Sequence, residues 1–181
     1  MTEIKIEALQ KSDLAEASTL LGLAFASQPS SLAIYPGVAE DVIAGRLKKV
    51  FGAMLGLLPG ESYVAKEDGR IVGVMRMVEW PQCQMSAGQR LKILPILIGS
   101  GGGLSAMKRS LEFRGTWSRA DPPEPHWHLD PLGVLPGMQG QGIGSQLLSH
   151  YCRLVDLTGK EAYHETDRPI NVAFYERAGF K

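Results

Sequence analysis

The sequence has few cysteines, no excess of either charge and no long apolar run. Its two cysteines, Cys83 and Cys152, form no Cys-x-x-Cys pair, which favours a reducing, cytoplasmic setting over a disulfide scaffold. Lysine plus arginine and aspartate plus glutamate number 19 each, so no overall charge attracts nucleic acid or an anionic membrane. The apolar stretch 93–98 contains Pro95 and is far shorter than the roughly 20 residues that a membrane helix needs. We therefore expect a cytoplasmic protein that acts on a small molecule, with neither nucleic acid nor membrane as a partner.

Hydrophobic residues are numerous enough for one core, and their spacing is regular. They make up 44% of 181 residues, and we predict a single domain over 1–181. Near the start, apolar residues alternate with charged ones, which predicts a strand rather than a secretory leader. Further along, helices are predicted over 14–27 and 38–58, and a hairpin of strands over 62–65 and 70–78.

Composition changes between residues 81 and 125. Glycine fills most of 99–103 and proline is frequent in 121–125, so we interpret this segment as an insertion. Short helices are predicted within it over 89–98 and 104–113. Its basic residues are compatible with an anionic ligand, although a solvated surface is the simpler interpretation.

The last third of the chain, a core over 126–181, has the pattern of an α/β layer. We predict a strand over 127–134, a helix over 139–157, a strand over 161–166 and a helix over 170–178. This order implies at least one parallel pair of strands, so the expected fold class is α/β, with a mixed central sheet flanked by helices.

Glycines are concentrated between that strand and that helix, in Gln139-Gly140-Gln141-Gly142-Ile143-Gly144-Ser145. Amide groups at a helix N-terminus bind anions, and glycine lets a phosphate approach the backbone. A Walker loop would end in Gly-Lys-Ser/Thr, which is absent, and a Rossmann loop would require a third glycine where Ser145 stands. A phosphate-bearing ligand is favoured, and a tight turn without a ligand stays open as the alternative.

Two motifs in this region resemble a known family. Gln139, Gly142 and Gly144 match the Gln/Arg-x-x-Gly-x-Gly/Ala signature of the GNAT superfamily of N-acetyltransferases. Downstream, Asn171-Val-Ala-Phe-Tyr175-Glu-Arg-Ala-Gly-Phe180 resembles the second motif of that family, in which a tyrosine precedes a Gly-Phe pair. The pattern is most similar to the puromycin N-acetyltransferase group, and the resemblance covers about residues 127–180.

The resemblance implies a GNAT-like fold that uses acetyl-coenzyme A. It also implies that a strand edge pairs with the pantetheine arm, that the glycine loop holds the pyrophosphate, and that an asparagine hydrogen-bonds the pantetheine. The residues so implied are Leu132, Gly133, Val134, Gln139, Gly140, Gln141, Gly142, Ile143, Gly144, Ser145 and Asn171. The family pattern continues into two further strands beyond Lys181, so we expect those strands to be absent from this chain.

The implied activity is transfer of an acetyl group to a primary amine, which needs an acid for the departing thiolate. Tyr175 is the candidate acid because a phenol titrates near pH 10, close to a thiol. Asn171 and Tyr175 are four residues apart and would share one helix face. Pro131 and Gly133 suggest a strand bulge whose N–H could hold the oxyanion. The alternative function is a non-catalytic sensor that binds acyl-coenzyme A. A homodimer is compatible with either function.

The sequence offers several candidates for the general base. Glu165 is placed first, because carboxyl ends of strands line the crevice of an open α/β sheet. Asp130, His128 and Glu79 are alternatives.

His126 and His128 alternate along one strand, which is also compatible with zinc, but no third ligand stands nearby in sequence, so we expect no metal. Cys152 lies on the apolar stripe of a helix and is interpreted as a packing residue rather than a nucleophile.

Overall fold

A five-stranded mixed sheet forms the centre of the computed structural model, which describes residues 3–181. The strands lie in chain order across the sheet and are β1 (Lys5–Ala8), β2 (Glu61–Glu67), β3 (Arg70–Glu79), β4 (His126–Val134) and β5 (Glu161–Tyr163). β1, β2, β3 and β4 pair with one another in antiparallel fashion, whereas β5 runs parallel to β4. The predicted α/β class, the hairpin and the parallel pair are thereby confirmed. No strand follows β5 within residues 3–181.

Helices cover both faces of the sheet. They are α1 (Leu14–Phe25), α2 (Pro29–Ile34), α3 (Glu40–Leu57), α4 (Ala87–Gly99), α5 (Gly103–Ala120), α6 (Ile143–Asp156) and α7 (Pro169–Glu176). On one face, α1 and α3 pack against the sheet through a cluster that includes Leu21 and Phe51. On the other face, α6 packs through Leu147, Leu148 and Tyr151. None of the described helices is both long enough and apolar enough to span a bilayer.

The structure departs most clearly from the sequence prediction at four places. Residues 29–34 form α2, in a stretch where no helix was predicted, because Pro29 occupies the first helical turn, in which proline is tolerated. In the insertion, α5 extends to Ala120, seven residues beyond the predicted end. Helix α6 begins at Ile143 because Gly142 is left-handed, and β5 ends at Tyr163 because β4 and β5 separate there.

The insertion packs against the rest of the domain through side chains that bond to backbone carbonyls. Arg109 Nε donates to Ile34 O at 2.8 Å, and Lys49 Nζ donates to Gly99 O at 3.1 Å. Helix α4 begins with a capping box in which Ser86 and Gln89 satisfy each other's backbone N–H groups. These bonds hold the two insertion helices against α2 and α3.

Helices α1 and α3 approach each other closely at Gly22. A Cβ atom at this position would lie 2.5 Å from Ala44 O and 3.0 Å from Lys48 N. Both neighbouring atoms belong to the backbone and cannot rotate away. Only glycine permits this distance between the helices.

Candidate active site

β4 and β5 separate after a short stretch of pairing. β5 pairs only with His126, Trp127 and His128, so the edge of β4 over Leu132–Val134 has no partner strand on that side among the described residues. His164 bridges the start of the gap, where its Nδ1 lies 2.7 Å from Leu129 O. The separation leaves this edge of β4 without a partner strand.

β4 contains a bulge just before this unpaired edge. The register to β3 shifts between Met75 and Met77, so Asp130 and Pro131 together stand opposite Arg76. Arg76 is buried, and its guanidinium donates to Asp130 O at 3.1 Å and to Pro59 O. The predicted bulge is present, and a buried arginine that the sequence analysis missed holds it in place.

The glycine loop leads into the N-terminus of α6. Gly140 and Gly142 have φ values of +78° and +82°, and open space surrounds the position of a Cβ at either residue. No side chain caps α6, so its first amide groups lack intrahelical acceptors. The side chains of Gln139 and Gln141 turn back to Val134 O and Gly137 O, each at 3.3 Å, and brace the loop.

At two other glycines predicted to contact the cofactor, a Cβ would point into the protein interior rather than into open space. A Cβ at Gly144 would be in ordinary contact with Phe174, at 3.5 Å, and with Val134. A Cβ at Gly133 would lie 2.8 Å from a methyl group of Leu21 in α1. Their side-chain positions therefore serve packing, and only their backbones are available to a ligand.

Tyr175 lies in α7, close to the gap between β4 and β5. Its ring packs against His164, with centroids 4.2 Å apart, and against Phe174 and Phe180. Burial, with a smaller contribution from the Asp130 carboxylate, raises the pKa of Tyr175 above its ordinary value. Asn171 lies one turn earlier on α7, where its amide donates to Thr166 Oγ1 at 3.3 Å.

The four carboxylate and histidine candidates for the base occupy different environments. Glu165 lies two residues beyond β5, with one oxygen 2.8 Å from His128 Nε2. Glu79 pairs with Lys160 at the sheet surface. Asp130 and His128 line a small cavity between the insertion, the end of α3 and the sheet.

That cavity has a volume of about 30 Å³ and a mixed lining. Its polar lining residues are Arg76, Gln82, Gln89, Arg114, His128 and Asp130, and its apolar ones include Met54, Leu58, Val78 and Met85. Asp130 is the only carboxylate among these lining residues. Sequence analysis counted Arg114 among the basic residues of the insertion but did not name Arg76, although the position of Arg76 within an apolar strand was a readable signal.

A sequence model of the acetyltransferase (GNAT) family matches residues 33–180. The chain belongs to the GNAT acetyltransferase family. Membership confirms the predicted family, and with it an acyltransferase that depends on acetyl-coenzyme A.

Solved GNAT-fold structures resemble the whole chain. One is the structure of histone acetyltransferase HPA2 and related acetyltransferase from Corynebacterium glutamicum. It is 24% identical to this chain in sequence, its TM-score is 0.72, and the match covers 100% of this chain and 86% of that chain. Another is a GNAT family acetyltransferase from Brucella melitensis in complex with acetyl-CoA, 18% identical with a TM-score of 0.57, over 100% and 84%. A third is the aminoglycoside N-acetyltransferase AAC(6')-Iy in complex with CoA, 16% identical with a TM-score of 0.53, over 100% and 90%. These likenesses confirm the fold.

The loop and the strand edge fit the GNAT cofactor. The space that a Cβ would fill at Gly140 and Gly142, together with the uncapped amides of α6, suits a pyrophosphate. The unpaired edge over Leu132–Val134 presents backbone donors and acceptors to an extended pantetheine.

We predict that a saturating concentration of acetyl-coenzyme A raises the Tm by about 5–10 °C, because a ligand at 100 times its Kd adds about 2.7 kcal/mol to a domain of this size. Gly142→Val should remove this shift, since the branched side chain would fill the pyrophosphate space. Gly159→Val is the matched control in a thermal-shift assay, because Gly159 also has a positive φ and open surroundings but lies at the opposite end of α6. Both variants should lose intrinsic stability through backbone strain. A folded Gly142→Val protein with the full shift would contradict the assignment of the loop.

Proposed function

We propose that this GNAT enzyme transfers an acetyl group from acetyl-coenzyme A to the primary amine of a small molecule. The observation that carries the proposal is the position of the cavity, whose single lining carboxylate, Asp130, lies in the bulge of β4. The carbonyl of the preceding residue, Leu129, contacts His164, and the ring of His164 packs against Tyr175. The proposed acceptor site and the proposed acid therefore lie close to the same gap between β4 and β5. Within the family, the run Glu165-Thr166 followed by Asn171 and Phe174-Tyr175 supports the puromycin N-acetyltransferase-like group.

Acetyl-coenzyme A supplies an activated thioester and a thiolate leaving group. We propose that the backbone of Leu132–Val134 binds the pantetheine arm and that the amides of Ile143, Gly144 and Ser145 bind the pyrophosphate. The Asn171 amide can exchange its contact with Thr166 for a hydrogen bond to the same arm. A backbone N–H beside the bulge is available to the carbonyl oxygen of the acetyl group as negative charge develops there.

We propose that Tyr175 donates the proton to the departing sulfur. Its hydroxyl keeps that proton over the physiological range because burial raises its pKa. This gives the phenol a role in the transition state and little role in binding the cofactor.

We place Asp130 against the ammonium group of the acceptor. Glu165, the base expected from the sequence, contacts His128 and does not line the cavity, so it reaches the acceptor only through that ring. Asp130 attracts a cation in a setting with two arginines, which repel a second positive group and favour an acceptor with one amine. Solvent takes up the proton that the amine loses.

A screen of primary amines, read by release of free thiol from acetyl-coenzyme A, tests the proposed function. Asp130→Asn should raise the KM for a responding amine by about 10- to 100-fold, the equivalent of one charge-assisted hydrogen bond. Glu79→Gln is the matched control, since it removes a carboxylate that pairs with Lys160 away from the cavity. A protein that binds acetyl-coenzyme A but releases no thiol with any amine would support the sensor alternative. An unchanged KM in Asp130→Asn would contradict the acceptor site.

A further inference from the structure

Four potential metal ligands converge behind the cavity. Cys83 follows β3, Asp121 follows α5, and His126 and His128 belong to β4. One ligand atom from each of the four lies within 4.8 Å of all the others. The side chains of His126 and Asp121 are almost completely buried, at 2% and 3% exposure. The insertion therefore contributes two ligands to a buried cluster completed by two residues of one strand.

The distances within the cluster match a tetrahedral metal site. Zinc bonds to nitrogen, oxygen and sulfur ligands are 2.0–2.3 Å long, which places neighbouring ligand atoms about 3.3–3.6 Å apart. His126 Nε2 and His128 Nδ1 lie 3.1 and 3.4 Å from Asp121 Oδ1. Cys83 Sγ lies 3.4 Å from the other oxygen of the same carboxylate. The side chains are thus preorganised around one point.

The ring nitrogens show which atoms are free to bind a metal. His126 Nδ1 donates to Glu124 O at 2.8 Å, which leaves Nε2 with a lone pair directed at a carboxylate oxygen. Among the described residues, neither His126 Nε2 nor Asp121 Oδ1 has a hydrogen-bond partner, although both are buried. Two such buried atoms 3.1 Å apart are unfavourable unless a proton or a metal cation lies between them. A metal ion bound to both atoms would satisfy them.

The outer contacts of both histidines are those of metal ligands. A metal-bound histidine almost always directs its second nitrogen to a carboxylate or a backbone carbonyl. His126 meets the carbonyl of Glu124, and His128 Nε2 lies 2.8 Å from the Glu165 carboxylate, which leaves Nδ1 for the cluster. The ring of Tyr163 packs edge-on against both imidazoles and covers the cluster.

We propose that Cys83, Asp121, His126 and His128 bind a zinc ion. Sulfur and imidazole ligands favour zinc over magnesium or calcium, which prefer oxygen. Four protein ligands leave no open position, so the ion is structural. It fastens the insertion to β4 and fixes the wall of the cavity, to which Cys83 and His128 both contribute. This inference does not depend on acetyl transfer.

The test uses untagged protein and begins with metal analysis. Purified protein should contain one zinc ion per chain, and chelation followed by return of zinc should lower and then restore the Tm by several degrees. Replacement of zinc by cobalt should give the intense visible bands of a tetrahedral site together with a near-ultraviolet thiolate-to-cobalt band.

The two cysteines provide a matched pair of variants. Cys83→Ser should abolish the thiolate band and weaken zinc binding by at least about 100-fold, whereas Cys152→Ser, on α6, should leave both unchanged. If Cys83→Ser does not fold, the wild-type and Cys152→Ser cobalt spectra decide the question. Absence of zinc with no response of the Tm to zinc, an octahedral cobalt spectrum, or a thiolate band lost in Cys152→Ser would each overturn the proposal.

Discussion

A Tyr175→Phe enzyme should lose about 10²- to 10⁴-fold in kcat, the usual effect of removing a proton-transfer group. The substitution keeps the ring and its packing against His164 and Phe174. Affinity for acetyl-coenzyme A should be nearly unchanged, so kcat and kcat/KM should fall together. Steady-state kinetics with a responding amine would measure both. A rise in KM for acetyl-coenzyme A with kcat preserved would instead indicate a contact made in the ground state.

The pH profile gives a second measurement on the same residue. An acid must be protonated to act, so activity is lost as the pH rises through its pKa. Because burial raises the pKa of Tyr175, its alkaline limb should lie above pH 10, the ordinary value for a phenol. A limb between pH 8 and pH 9 that disappears in Tyr175→Phe would contradict this prediction.

Tyr151→Phe is the control for losing a buried hydroxyl. Tyr151 belongs to the same hydrophobic cluster, but its hydroxyl donates to Trp127 O instead of facing the opening. This variant should lose about 1–2 kcal/mol of stability and keep its kcat. Equal losses of kcat in the two variants would show that Tyr175 acts through packing.

Gly22→Ala should lower the Tm by about 6–12 °C. A Cβ 2.5 Å from Ala44 O forces α1 and α3 apart, and overpacking of this kind costs about 3 kcal/mol, each kcal/mol corresponding to about 2–4 °C in a domain of this size. The loss should occur even though alanine is the better helix former. Thermal unfolding followed by circular dichroism would measure it.

Gly45→Ala, on α3, is the companion variant. A Cβ at Gly45 would meet no atom within 4 Å, so the same substitution should raise stability by up to about 1 kcal/mol through helix propensity. If both substitutions changed the Tm in the same direction and by a similar amount, the explanation by close contact of the two helices at Gly22 would be wrong.

The parts of the site that the sequence predicted are those encoded by local pattern. The strand before the glycine loop, the loop, the helix after it and the spacing of Asn171 and Tyr175 are all contiguous in the chain. Amphipathic periodicity and backbone requirements of glycine are local properties, so a single sequence reveals them. The exact start of α6 was missed because Gly142 ends the loop in a left-handed conformation, which spacing alone does not show.

Interactions between distant residues were not predictable in the same way. Arg76 and Asp130 meet only because β3 and β4 pair with a bulge between them. Cys83 and Asp121 approach His126 and His128 only after the insertion has folded back on the sheet. The sequence showed two closely spaced histidines but no third ligand near them, because the other two ligands of the proposed site come close only in the folded protein.

The connection between β3 and β4 has a consequence for how such a domain can diversify. Glu79, at the end of β3, stands opposite Trp127, near the start of β4, so the two ends of segment 80–125 are already adjacent in the sheet. A loop whose ends are held together can be exchanged at little cost to the remaining fold. The segment supplies much of the cavity wall, whereas the glycine loop and α7 lie outside it. One continuous graft would therefore change the wall of the cavity in which we propose that the acceptor binds, while the cofactor half of the enzyme remained as it is.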